Sequence, residues 1–255
     1  MIALVTLSAT GAELAATLHR RMAGSALYIH SAVAPAPADA ERFERSADLL
    51  ARLFATVDGI VFIGPCGVAV RAIAPCLQDK YSDPAVVVLD VGARHAISLL
   101  SGHEGGANDL ALTVANILGA EPVVTTTTEA EKRIIVGVGC RRGCSAEAIA
   151  AAVRVGLARA GTDLTQVRYL ASADIKADEP GLAAAARQLK LPLRLIASEA
   201  IRNCTQPFNE QALVKEKVNL PGVAEPAALL AGRRTRLILP RIIHNQVTVA
   251  VAREE

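Results

Sequence analysis

The chain has 255 residues, enough for one large domain or two small ones. Hydrophobic residues make up 52% and charged residues 20%, a globular composition that excludes intrinsic disorder. A net charge of +2 predicts no polyanion partner, and aromatics at 3%, without Trp, argue against a stacking platform for nucleic acid.

Short β-branched runs alternate with Ala/Leu-rich helical patterns, the signature of α/β layering. Ile2–Leu7 is a predicted first strand; no basic region precedes it, so it does not read as a signal peptide. A helix from about Ala12 to Met22 and a strand over Ala26–His30 follow. The Pro/Ala stretch Ala32–Ala38 is a loop, and Ala40–Ala55 has helical spacing. Gly59–Ile63 is almost wholly apolar, as in a parallel strand covered on both faces. Val68–Leu77 is a short helix whose end Pro75 distorts. Ala85–Asp90 and His95–Leu100 flank Val91-Gly-Ala-Arg94, a hairpin signal. A helix over Gly105–Leu118 and a strand over Pro122–Thr126 close the first half. The polar segment Thr125–Lys132 predicts the domain boundary, dividing the chain into 1–128 and 133–255.

In the second half, Ile134–Gly139, Val167–Ser172 and Leu193–Ile196 read as strands. Ser145–Ala160, Glu179–Leu189, Asn209–Glu216 and Ala224–Ala231 read as helices, and Arg236–Ile243 with Gln246–Arg253 as a closing hairpin. The expected fold is therefore α/β: two small α/β domains, mostly parallel sheets and a cleft between them. No apolar run reaches the ~18 residues of a membrane span. The five cysteines show no disulfide framework or zinc-ligand spacing, so reduced thiols and a cytoplasmic location are expected.

Two Gly-rich segments run from a strand into a helix. In Leu99-Leu-Ser-Gly-His-Glu-Gly-Gly-Ala-Asn-Asp109, glycines admit a close ligand and the helix N-terminus favours a carboxylate or phosphate. His103 and Glu104 at this turn are candidate proton-transfer groups. An ordinary tight turn accounts for the glycines equally well. Gly137-Val-Gly-Cys-Arg-Arg-Gly-Cys-Ser145 lacks the glycine spacing and downstream acid of a dinucleotide fingerprint. Arg141 and Arg142 instead suit a multi-carboxylate ligand, against ordinary surface charge at a helix start. Two charged strips, Arg71–Pro84 and Ser172–Gly181, follow strands and so lie where ligands bind α/β sheets; Lys80 and Lys176 are candidate anion or Schiff-base lysines, or solvated loop residues.

Together these segments resemble the cobalt-precorrin-5A hydrolase family, CbiG. Arg71-Ala-Ile-Ala-Pro, Asp79-Lys80, Asp83–Asp90 and above all Ile97–Asn108 resemble its amino-terminal domain. Gly137–Gly143, Leu170–Lys176, Asp178-Glu179 with Gly181-Leu182, and Val247–Arg253 resemble its carboxy-terminal domain. Longer members carry a middle segment that Thr125–Lys132 replaces here, and Cys66, Cys76 and Cys144 depart from the small or apolar residues expected.

The resemblance implies a hydrolase of the anaerobic branch of cobalamin biosynthesis. It opens the δ-lactone of cobalt-precorrin-5A and releases a two-carbon fragment as acetaldehyde, giving cobalt-precorrin-5B. No protein-held cofactor or metal is expected, since cobalt arrives with the tetrapyrrole; transient contact with neighbouring pathway enzymes is the expected protein partnership, with no nucleic acid and no membrane. On this reading His103 is the general base, with Glu104, Lys80 and Lys176 as further catalytic candidates. Backbone N–H groups at Gly105 and Gly106 would stabilise the oxyanion. Substrate contacts are expected from Arg71, Asp83, Ser101, Gly102, Gly105, Gly106, Asn108, Gly139, Cys140, Arg141, Arg142, Gly143, Ser172, Asp174 and Glu179. The alternatives are a non-catalytic tetrapyrrole-binding or carrier protein and, less supported by the glycine spacing, a nucleotide-dependent enzyme.

Overall fold

The computed structural model describes residues 1–209 and 218–255, which form two compact units, Met1–Thr126 and Thr127–Glu255. The expected helix over Asn209–Glu216 lies, beyond Asn209, outside the described residues.

The first unit is built on a seven-stranded sheet of order β3-β2-β1-β4-β5-β6-β7. Its elements are β1 (Ile2–Thr6), α1 (Ala9–Arg21), β2 (Ser25–His30), β3 (Glu41–Phe43), α2 (Ser46–Phe54), β4 (Gly59–Ile63), α3 (Cys66–Ile73), β5 (Ala85–Leu89), β6 (His95–Leu100), α4 (Ala107–Leu118) and β7 (Glu121–Val123). The first five strands run parallel; the expected hairpin reverses the chain, so β6 is antiparallel to β5. Every residue of β4 and β5 is buried, which explains their unbroken apolar sequence. On one face Leu18 of α1 and Leu110 and Val114 of α4 pack on Leu4, Val61, Val87 and Leu89. On the other, Leu49, Leu50 and Leu53 of α2 and Ala69 and Ile73 of α3 pack on Val5, Ile60, Phe62 and Val88.

One element corrects the sequence expectation. Residues 41–43 do not start a helix but pair with Tyr28–His30 as the edge strand β3. The Arg42 guanidinium secures that edge by donating to the carbonyls of His30, Ser31 and Val33. Such tertiary pairing overrides helical spacing in a short segment.

The second unit opens on a short helix, α5 (Thr127–Ala130), and has a five-stranded sheet of order β10-β9-β8-β12-β11. Its elements are β8 (Ile134–Gly139), α6 (Ala146–Arg159), β9 (Val167–Ala173), α7 (Pro180–Leu189), β10 (Leu193–Ile196), α8 (Ser198–Arg202), α9 (Ala224–Leu230), β11 (Thr235–His244) and β12 (Val247–Glu254). Strands β8, β9 and β10 are parallel, while the closing hairpin β11–β12 adds antiparallel to β8. Helices α6 and α7 bury Ile149, Val153, Leu157, Leu182 and Leu189 against Val136, Val138, Val249 and Val251. Pro240 sits in β11, an edge strand, where its missing N–H is tolerated.

Candidate functional site

In the first unit, β6 ends at Leu100 opposite Val86, the second residue of β5. Because β6 runs antiparallel, the Gly-rich turn after it lies at the amino end of β5. Arg71–Pro84 also comes to this end, since α3 carries the chain back across the sheet before β5 begins. This corrects the expected placement of that strip beyond the carboxyl end of β4. Leu100 and the turn are at a carboxyl end, but that of β6.

Ser101 opens the turn with φ of +56°, a left-handed conformation that costs about 1 kcal/mol for a residue bearing a Cβ. Its carbonyl accepts the N–H groups of Gly105 and Ala107, each at 3.1 Å, and the Gly102 carbonyl accepts that of Asn108 at 2.9 Å. The turn thus folds back to satisfy the first N–H groups of α4, which a helix cannot satisfy internally. The Gly105 N–H, expected at an oxyanion, is engaged in this way. No other residue fits at Gly105: a Cβ there would stand 2.5 Å from that of Ser101 and 3.2 Å from the Asp83 carbonyl. The Ser101 hydroxyl is buried, and among the described residues it has no hydrogen-bond partner. Asn108, half-buried, accepts from Ser98 Oγ at 2.8 Å and donates to Thr126 Oγ1 at 3.1 Å, tying β6, α4 and the chain after β7 together.

Above this clamped turn stand the exposed side chains of His103 and Glu104. Lys80 Nζ reaches Glu104 Oε1 at 2.9 Å, so the turn and the Lys80 loop meet through that pair. The Lys80 ammonium, hydrogen-bonded to Glu104, holds the Glu104 carboxyl below the ordinary carboxylate range. The same bond, then one to Tyr81, raises the Lys80 pKa. Asp83, buried, accepts the Gln78 N–H on both oxygens, at 3.0 and 3.3 Å. Arg71 is exposed in the last turn of α3 and donates back to the Gly67 carbonyl at 3.4 Å. Asp79, to which the sequence reading gives no role, organises the loop. Its carboxylate accepts the N–H groups of Tyr81 and Ser82 at 2.8 and 3.1 Å and the Ser82 hydroxyl at 2.8 Å. The signal was present as Asp-x-x-Ser, an Asx-turn pattern.

In the second unit both expected segments do lie at the carboxyl ends of parallel strands, β8 and β9. The turn after β8 holds Gly143 at φ of +78° and caps α6 with Ser145, whose Oγ accepts the Ala148 N–H at 3.2 Å. Glu179, at the start of α7, is buried and accepts the Gly143 N–H at 2.9 Å. Lys176 Nζ lies 4.0 Å from the other Glu179 oxygen, its side chain 16% exposed. Gly181 is required by close approach, since a Cβ there would stand 1.9 Å from the Cys144 carbonyl oxygen. Ser172, fully buried, donates to the Val138 carbonyl at 2.8 Å and ties β9 to β8 just below the turn. Burial pushes the Cys140 thiol up to about 11, partly countered by Lys176 and reinforced by Cys144.

Arg141 and Arg142 are exposed, and Arg141 donates to Gln246 at the β11–β12 hairpin tip at 3.4 Å. Asp174 is exposed and accepts from the Ser198 hydroxyl. Glu179, Ser172, Asp83 and Asn108 therefore make bonds that shape the turns, while His103, Glu104, Lys80, Arg141 and Arg142 face solvent. Among the described residues, no three His, Cys, Asp or Glu side chains cluster to hold a metal ion, and no helix is long and apolar enough to cross a membrane.

Each unit is thus an α/β layer in which charged side chains stand over a glycine turn pinned from beneath. Residues 48–129 match the family described as Cobalamin synthesis G N-terminal, and 134–252 that described as Cobalamin synthesis G C-terminus. The chain belongs to the CbiG family. The cobalt-precorrin-5A hydrolase of Salmonella typhimurium (strain LT2) is 26% identical over 276 residues, covering 72% of this chain and 79% of that protein. An alignment longer than this chain that covers only part of it means the relative carries residues without counterpart here. The cobalt-precorrin-5A hydrolase of Priestia megaterium is 38% identical, covering 55% of this chain and 38% of that protein. Protein CobE from a Sinorhizobium species is 34% identical, covering 49% of this chain and 83% of its own.

Proposed function

We propose that the protein is a cobalt-precorrin-5A hydrolase, which opens the δ-lactone of a cobalt-bearing tetrapyrrole and releases acetaldehyde to give cobalt-precorrin-5B. The observation that carries this reading is the match to both CbiG family regions in order, with a named hydrolase related across most of both chains. The substrate brings its own cobalt and a rim of acetate and propionate groups.

In this reading His103, exposed beside the turn, takes a proton from water as the water oxygen adds to the lactone carbonyl. The oxyanion forms near Lys80, whose raised pKa keeps it cationic, rather than at the engaged Gly105 N–H. Collapse expels the ring oxygen, which takes the proton back from the imidazolium. When that hydroxyl is deprotonated again, its carbon–carbon bond breaks, acetaldehyde leaves, and the electron pair passes into the macrocycle. Arg71 on the first unit, and Arg141 and Arg142 on the second, each offer forked donors suited to carboxylates. Lys176 remains a candidate amine for covalent capture, and borohydride trapping that yields no adduct removes it.

The test is anaerobic incubation with enzymatically prepared cobalt-precorrin-5A, assaying acetaldehyde and tetrapyrrole mass. Acetaldehyde with the matching mass loss supports the hydrolase, and absence of both refutes it. The rival is a non-catalytic carrier; at this turn Glu104 and Lys80 pair with each other, which leaves proton transfer to His103. Tight binding without any mass change would decide for the carrier.

A further inference from the structure

We propose that Tyr81 is a stacking surface for the face of a planar, conjugated, anionic ring, beside the Lys80 ammonium. This rests on the tetrapyrrole reading above and adds a residue to it.

Of the seven Phe and Tyr side chains, Tyr28, Phe43, Phe54, Phe62 and Tyr169 are buried and Phe208 is half-buried. Tyr81 is 76% exposed, so the fold gains almost nothing from its ring. Yet the segment carrying that ring is tightly held. Asp79 accepts the Tyr81 and Ser82 N–H groups and the Ser82 hydroxyl, the Asp79 carbonyl accepts the Asp83 N–H at 3.0 Å, and the buried Asp83 carboxylate anchors Gln78. A flexible surface loop has no need of so many bonds, whereas a contact surface gains affinity from being fixed in advance.

The ring is also electrostatically prepared. The Lys80 ammonium lies 4.8 Å from the Tyr81 ring centroid and 2.9 Å from Glu104, so one cation touches both the ring and the Gly-rich turn. A cation on one face draws π-density toward itself and leaves the other face better disposed to an electron-rich macrocycle. Leu77, 47% exposed, lies four residues earlier and offers further apolar surface on the same loop. A non-aromatic polycarboxylate would engage Lys80 but leave Tyr81 unused.

The probe is uroporphyrin, an aromatic tetrapyrrole bearing acetate and propionate groups, titrated into the intact protein. Tyr81→Ala weakens its binding by about tenfold, the loss typical of one stacked aromatic, with an unchanged melting temperature. Tyr81→Phe binds like wild type. Because the chain contains no Trp, Tyr81→Trp introduces a unique fluorophore, whose emission is quenched saturably by the probe. If wild type binds uroporphyrin while Tyr81→Ala binds it equally well, or Tyr81→Trp is not quenched, the stacking role is overturned and the tetrapyrrole reading stands. A wild-type protein that ignores uroporphyrin overturns the stacking proposal, while the hydrolase reading is decided separately by the acetaldehyde assay.

Discussion

Ser101→Ala separates a serine kept for folding from one kept for a ligand. The Ser101 hydroxyl is buried and has no partner among the described residues, while the backbone sits at φ of +56°. An unmade hydrogen bond on a buried group costs about 1–3 kcal/mol. Alanine removes that cost, keeps the Cβ and therefore leaves the left-handed strain unchanged. The oxygen-sized void it creates costs a few tenths of a kcal/mol at about 24 cal/mol per Å³. The net expectation is a stabilisation of about 1 kcal/mol, or about 2–4 °C in melting temperature for a chain of this size. Differential scanning calorimetry measures it. If the turn shifts on binding and the hydroxyl then bonds the substrate, kcat/KM on cobalt-precorrin-5A falls about tenfold over the same substitution. A melting temperature that falls shows the hydroxyl is bonded within the fold. Unchanged turnover shows the ligand does not use it, and either result refutes the reasoning.

Four further expectations follow from the second unit and from the exposed ion pair. Glu179→Ala leaves the Gly143 N–H without its buried acceptor and destabilises by about 1–3 kcal/mol in urea titration, whereas Glu179→Gln, which keeps an acceptor, loses less. Gly137→Ala places a Cβ 1.8 Å from the Ala224 carbonyl oxygen, a backbone clash that costs about 3 kcal/mol or more and lowers the denaturation midpoint. The Cys140 thiol, pushed up to about 11 chiefly by burial, favours the neutral form in the folded state. Stability therefore holds below the unfolded thiol value of about 8.5 and declines as pH rises toward 11; Cys140→Ala flattens that alkaline limb in pH-dependent melting. The Lys80–Glu104 contact is fully formed above the ordinary Glu value of about 4.3 and is lost as pH falls through the lowered one; NMR titration of the Glu104 side chain in wild type and Lys80→Met detects it, and identical titrations in both would rule the contact out.

Where the fold was legible, a single strong pattern sufficed. The wholly apolar runs of β4 and β5 announced strands covered on both faces, and Val91-Gly-Ala-Arg94 announced the one antiparallel reversal among the central strands of the first sheet. Where reading failed, long-range partners had decided the outcome. Residues 41–43 became a strand because β2 offered an open edge and Arg42 could reach three carbonyls beyond it. The position of Lys80 at the amino end of β5 followed from the direction of α3, which helical spacing alone does not reveal. At the candidate site the Gly-rich segments were visible as motifs, but their internal economy was not. That Gly105 donates to Ser101, that Asn108 joins Ser98 to Thr126, and that Glu179 reaches back across 36 residues to Gly143 are contacts no spacing rule encodes.

The two turns reach the same physical arrangement by different means. In the first unit, the carbonyls of Ser101 and Gly102 and the side chain of Asn108 hold the loop from within. In the second, a carboxylate from the following helix, Glu179, does so from outside, and Ser172 braces the strand end below. Both leave their charged side chains in solvent on a backbone that is already fixed: His103, Glu104 and Lys80 above one, Arg141 and Arg142 above the other. A ligand recognised by several weak, separate charges loses affinity whenever binding must also order the loops that carry them. Fixing loop geometry with buried polar groups, while Arg141 and Arg142 stay exposed, removes that cost before a ligand arrives. Substitution of Glu179 should therefore weaken carboxylate binding at the second unit's turn through loop geometry, whereas changes at Arg141 and Arg142 should weaken it without altering stability.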